Sequence, residues 1–181
     1  MNLTDGELTG VETTTAGGHP AIAVEGFPAD SVKWALANLD ITFDVVVSGS
    51  NTGQNIGPLS LVSGTVGAAR YAAQNGIPGV AVSQGAADVV DYPASVDIAV
   101  MWVDDHRDDY VAGTVSLWSI NAPSCPDGAQ GTQQVPLADD FGDRSATEVT
   151  CDSAATDFAD DVDAFINGYV AISELPLTVE G

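Results

Sequence analysis

The stretch Asp44–Thr65, DVVVSGSNTGQNIGPLSLVSGT, constrains this chain more than any other. It opens on an unbroken apolar run, Val45-Val46-Val47, the composition of a strand covered on both faces in a parallel sheet. The run then breaks into small and amide residues: Ser48, Gly49, Ser50, Asn51, Gly53, Asn55 and Gly57. Ser63-Gly64-Thr65 leads directly into VGAARYAAQNG, a helix expected to end at Gly76. Strand, glycine-rich turn and fresh helix N-terminus make a cradle for an anion. Glycine admits close backbone approach, and first-turn amides have no intrahelical acceptor. Asn51 and Asn55 add neutral side chains that ligate a hard cation through oxygen or donate to phosphate through nitrogen. The expectation is an oxyanion or phosphate site at the C-terminal edge of a parallel strand. Two nucleotide-binding patterns are excluded. No lysine adjoins Gly64-Thr65 as in a Walker A loop, and Gly49, Gly53 and Gly57 are not spaced as G-x-G-x-x-G.

The flanks repeat a strand–helix rhythm. Met1–Pro20 is polar and reads as an arm with a short edge strand; Ala21–Glu25 reads as a strand. Pro28 suits a first helical position, Asp30 complements the helix dipole, and Val32, Leu36 and Leu39 recur on one face. After the central strand at Asp44–Ser48 and a helix at Thr65–Asn75 comes a buried strand, Gly79–Ser83. Pro93–Asp109 reads as a helix, with Val96, Ala99, Val100 and Val103 on one face. Strands follow at Val115–Ile120 and Gly168–Ser173. This is the βαβ order of a three-layer α/β domain with a mostly parallel, Rossmann-like sheet. Residues 124–155, rich in Pro, Gly, Gln and Asp, read as a protruding hairpin or extension near the C-terminus.

A chain of 181 residues suits a single domain spanning 1–181. No apolar run approaches the roughly 20 residues of a membrane span, and Met1 opens no signal-peptide pattern. Against 26 acidic residues stand only Lys33, Arg70, Arg107 and Arg144, for a net charge of −22. Such a field repels phosphodiester backbones and excludes a nucleic-acid polymer as partner. It suits a salt-rich environment or an exported protein. Cys125 and Cys151 form no CxxC motif and bracket a polar segment, a placement that favours a disulfide and an oxidising compartment over a metal or redox site. An exported location, periplasmic or extracellular, is therefore expected, with the cytoplasm of a salt-adapted organism as the alternative. The acidic pairs Asp104-Asp105, Asp108-Asp109, Asp139-Asp140 and Asp160-Asp161 belong to a generally acidic surface, and His106 sits electrostatically satisfied among aspartates.

The segments Ser48–Gly57 and Ser63–Val66 resemble the signature of the SurE survival-protein family, metal-dependent 5'/3'-nucleotidases and phosphatases. The resemblance extends to Gly26–Val32, to Gly76–Ser83, to Asn121-Ala122-Pro123 and to Asn167–Val170. It implies hydrolysis of phosphomonoesters of nucleoside monophosphates with a divalent cation, Mg²⁺ or Mn²⁺. Carried onto this sequence, it makes Asn51 a metal ligand and places Asn55, Ser63, Gly64 and Thr65 at the phosphate, with Gly49, Gly53 and Gly57 shaping the loop. It also implies a homodimer or homotetramer, with 124–155 and the C-terminal tail as contact surfaces.

The departure is that the family opens on a strand ending in paired metal-binding aspartates, and nothing like it precedes Ala21. On this reading the domain is N-terminally incomplete, lacks its catalytic Asp pair, and Asn51 alone cannot hold a divalent ion. A non-catalytic phosphate- or nucleotide-binding relative, or an inactive fragment that has lost the metal site, is the alternative function. A missing parallel strand also leaves an open apolar edge, so the chain alone is expected to be less stable than an extended form or to self-associate.

Overall fold

In a computed structural model, which describes residues 2–87 and 92–178, a small hairpin precedes the main sheet. Its strands, β1 (Gly10–Thr14) and β2 (Pro20–Val24), pair antiparallel. The helix α1 (Pro28–Asn38) starts on Pro28, and the Asp30 carboxylate accepts the Phe27 amide at 2.8 Å. The main sheet has five strands: β3 (Val46–Thr52), β4 (Gly79–Gln84), β5 (Leu117–Ala122), β6 (Thr132–Gln134) and β7 (Val170–Glu174). Their spatial order is β3-β4-β5-β7-β6. The pairs β3–β4, β4–β5 and β6–β7 are parallel and β5–β7 is antiparallel. Between β3 and β4 lie a short turn of helix, α2 (Leu59–Val62), and the longer α3 (Gly64–Gln74).

The alternation of β4 sorts the layers. Val80 and Val82 face Ala99, Tyr110, Ile120, Val170 and Ile172. Ala99 belongs to α4 (Tyr92–Asp105) and Tyr110 to α5 (Arg107–Val111). Ala81 points the other way, to Val66, Ala69 and Ala73 of α3 and to Leu117. Small residues let α3 lie close: a Cβ at Gly79 would stand 2.2 Å from the Ala69 carbonyl oxygen. The three-layer α/β reading thus holds, with every residue of β4 buried.

One expectation is corrected. The strand at the head of the conspicuous stretch is not covered on both faces; it is the edge of the sheet, and Val47 is 47% exposed. The fully covered strand is β4. Beside the open edge runs an apolar groove of about 790 Å³, lined in part by Val45, Val47, Val96, Val100, Met101 and Tyr110. Val96 and Val100, read as sharing one helix face with Ala99 and Val103, line that groove and are 45% and 63% exposed.

The extension at 124–155 folds back onto its own chain. It gives β6 to the far edge of the sheet and, with α6 (Asp161–Ile166), builds a second apolar cluster. Val162, Ala164, Phe165, Ala138 and Ala171 enclose Ile56, which is fully buried. Cys125 and Cys151 are joined, with their Cα atoms 5.6 Å apart. The last residues of the tail, 179–181, lie outside the described part.

Candidate functional site

Register builds the site. Asn51 lies opposite Ser83, and Ser83 opposite Asn121, so three polar residues form one row across the C-terminal ends of β3, β4 and β5. Asn51 reaches that row through a bulge. Ser48 pairs with Ala81, and one extra residue intervenes before Asn51 pairs with Ser83, a place regular pairing would give to Ser50. Gly49 makes the bulge possible: its φ is +123°, and a Cβ there would lie 2.2 Å from the Val82 carbonyl oxygen. Gly53 and Gly57 also take positive φ, +107° and +47°, so all three expected loop-shaping glycines adopt backbone that disfavours other residues.

The row is knitted into a network. The Asn51 Oδ1 accepts from Thr65 Oγ1 at 2.8 Å, Ser83 Oγ at 3.0 Å and Asn55 Nδ2 at 3.1 Å. Its Nδ2 donates to the Gly53 carbonyl at 2.8 Å, an orientation that the reverse amide placement would spoil by opposing two oxygens. Asn55 also donates Nδ2 to Ser83 Oγ at 2.8 Å and its backbone N–H to Asn121 Oδ1 at 2.7 Å. Asn121, 1% exposed, donates in turn to Ser119 Oγ at 3.0 Å. Ser63 caps α3 by accepting the Val66 amide at 3.1 Å. That leaves the Gly64 and Thr65 amides at the very start of the helix, aligned with its dipole, to meet an anion.

The loop carrying Asn55 is held from behind. Asp161, expected on the acidic surface, is instead 1% exposed: it accepts the Gly57 amide on one carboxylate oxygen at 2.8 Å and the Ala138 amide on the other at 2.9 Å. Burial pushes its carboxyl above the usual range, against the pull of those hydrogen bonds. Gln54 spans the gap between the extension and the end of β4: its amide nitrogen donates to the Ala146 carbonyl, and its oxygen accepts the Ala86 amide at 3.2 Å.

The expected residues are therefore in one place: Asn51, Asn55, Ser63, Gly64 and Thr65 converge on the start of α3. The arrangement suits an oxyanion better than a divalent cation. The one Asn51 oxygen already meets three donors, and among the described residues no three His, Cys, Asp or Glu side chains group to hold a metal. As it stands, the site does not fit Mg²⁺ or Mn²⁺ at Asn51. Two participants, Ser83 and Asn121, carry no role in the sequence reading. Their signal was position: each ends a buried parallel strand with a polar side chain where an apolar one would continue the core.

A mostly parallel sheet with a glycine-rich loop and a helix N-terminus at the ends of its parallel strands defines the class of open α/β proteins. Within it, the profile of the family described as Survival protein SurE matches residues 3–141, and the chain belongs to that family. A 5'-nucleotidase SurE of Leptospira biflexa is 37% identical over 101 residues, which is 55% of this chain and 40% of that protein. Its counterpart in Rhodopirellula baltica is 51% identical over 85 residues, 46% of this chain and 34% of the relative. The chain thus spans about two fifths or less of the length of these relatives. The solved structure of the SurE protein from Aquifex aeolicus shares the fold, with a TM-score of 0.75 and 21% identity, covering 99% of this chain and 77% of that one.

Proposed function

We propose that this chain is the phosphate-recognising part of a SurE-type phosphomonoester hydrolase of the 5'/3'-nucleotidase kind, with nucleoside monophosphates as substrates. The observation that carries the reading is the convergence of Asn51, Asn55, Ser83 and Thr65 on the N-terminus of α3. A phosphate oxygen there meets the Gly64 and Thr65 amides, and the Ser63 and Thr65 hydroxyls are within the same turn. In such hydrolases a divalent metal polarises the phosphoryl group and activates water. Among the described residues no three His, Cys, Asp or Glu side chains group to hold a metal, so hydrolysis calls for anionic ligands in addition to that described set. Calorimetric titration with 5'-AMP in the presence of chelator tests recognition, and turnover of 5'-AMP with Mn²⁺ tests hydrolysis. Binding without turnover is the expected result for the chain by itself.

The saturated Asn51 oxygen favours a second reading, a relative that binds phosphate or a nucleotide without hydrolysing it. Metal-dependent turnover by residues 1–181 overturns it. We further propose that the protein works as a homodimer or homotetramer, which sedimentation velocity measures directly. An exported location is supported by the Cys125–Cys151 bridge and the alternative, a salt-adapted cytoplasm, by the net charge of −22. Thiol titration of freshly isolated native protein separates the two.

A further inference from the structure

We infer that Asp161 is a positioning residue of this site: a buried carboxylate that latches the Gln54–Gly57 loop and so sets where Asn55 meets the row Asn51–Ser83–Asn121. The inference rests on the phosphate-site reading of that row. Asp161 begins α6 but does not cap it, since the Asp160 side chain accepts the Asp163 amide at 2.9 Å in that role. Among the described residues Asp161 has no ion-pair partner; Arg144 makes its contact with Asp160. A carboxylate buried with no cation is costly unless it satisfies other groups. The groups it satisfies are the Gly57 amide, 104 positions away in sequence, and the Ala138 amide in the extension.

Gly57 lies two residues past Asn55, and Ile56 between them is wedged into the second apolar cluster. Latch and wedge fix the loop at its C-terminal end, while the Asn55 amide and side chain engage Asn121, Asn51 and Ser83 at the other. Loss of the latch frees the Gly57 amide and lets the loop slide along the wedge. Asn55 then loses its alignment although the chemical identity of every group facing the ligand is unchanged.

The test compares the chain with Asp161→Asn, in which one oxygen is replaced by an NH₂ group that opposes one of the two amides. Ile56→Val serves as a control that thins the same cluster and leaves the carboxylate intact. Amide exchange at Asn55 and Gly57 and calorimetric affinity for inorganic phosphate are both read at one pH. We expect Asp161→Asn to speed exchange selectively at those two amides and to weaken phosphate about tenfold, the scale of one lost hydrogen bond to a charged group. Ile56→Val should lower the Tm with a much smaller loss of affinity. Unchanged exchange at Asn55 and Gly57, or unchanged phosphate affinity in Asp161→Asn, overturns the positioning role. A wild-type chain that ignores phosphate while Asp161→Asn still loosens those amides overturns the phosphate reading and leaves the latch standing.

Discussion

At the scale of single residues, Asn51 shows how an amide serves where a carboxylate would not. Its oxygen collects three donors and its nitrogen satisfies the Gly53 carbonyl, so both ends of the side chain are used. Asn51→Asp preserves the acceptor and sets a negative charge against the Gly53 carbonyl and against any bound anion. The expected outcome is phosphate affinity lost beyond detection by calorimetry, with a Tm near that of the parent. Asn51→Ala instead strands the donors of Thr65, Ser83 and Asn55, and partly buried groups left unsatisfied cost about 1–3 kcal/mol each. Its signature is a clear fall in urea midpoint. Asp30 makes a separate prediction. Burial pushes its carboxyl up, but hydrogen bonds from the Thr4 hydroxyl and amide and from the Phe27 amide outweigh burial and hold it below the ordinary value. A depressed carboxylate stabilises the fold fully above the unfolded value, about 3.9, and loses that contribution as pH falls through the folded one. Asp30→Asn should therefore flatten the acid limb of a Tm-versus-pH curve below about pH 4 and lower the plateau above it.

At the scale of elements, local signals and tertiary placement part company. The helix at 64–74, read as Thr65–Asn75, was legible because a Ser-Gly-Thr start, a closing Gly76 and an alanine-rich face state both its start and its partner. The site loop was legible for the same reason: Gly49, Gly53 and Gly57 take backbone that their residue type anticipates. The cover on β3 was not legible. Val45-Val46-Val47 describes a strand able to be buried on both sides, and only the arrangement of α4 and the sheet order decide whether it is. Ser83 and Asn121 were hidden in another way, since their meaning depends on a register between strands far apart in sequence. Nor does the sequence reveal that 124–155 turns inward, because Ile56 belongs to one apparent loop and its cluster to another. Truncating Ile56 to Ala should cost about 2–5 kcal/mol, as buried large-to-small changes do. Truncating exposed Val100 to Ala should change the urea midpoint little.

At the scale of the molecule, charge and cross-linking set the stability. One ion pair, Arg144–Asp160, is present among the described residues, against a net charge of −22. The remaining acids repel one another, and screening that repulsion favours the compact state. The Tm should rise steadily between low salt and 1 M KCl, and a flat or falling profile would contradict this account. The Cys125–Cys151 bridge closes a separation of 26 residues over the extension that holds the site loop. Its loss should cost about 3.5 kcal/mol by the loop-entropy argument, read as a shift in urea midpoint for Cys125→Ser with Cys151→Ser.

The bulge in β3 has a consequence for the growth of fibrils. An open sheet edge is a template on which identical chains can stack, and this one carries exposed valine. Cross-β segments use about six or seven residues in regular register. Here regular pairing runs only from Val46 to Ser48 before the extra residue displaces the backbone. The distortion that carries Asn51 to Ser83, Thr65 and Asn55 also leaves the exposed border too short to seed an ordered stack.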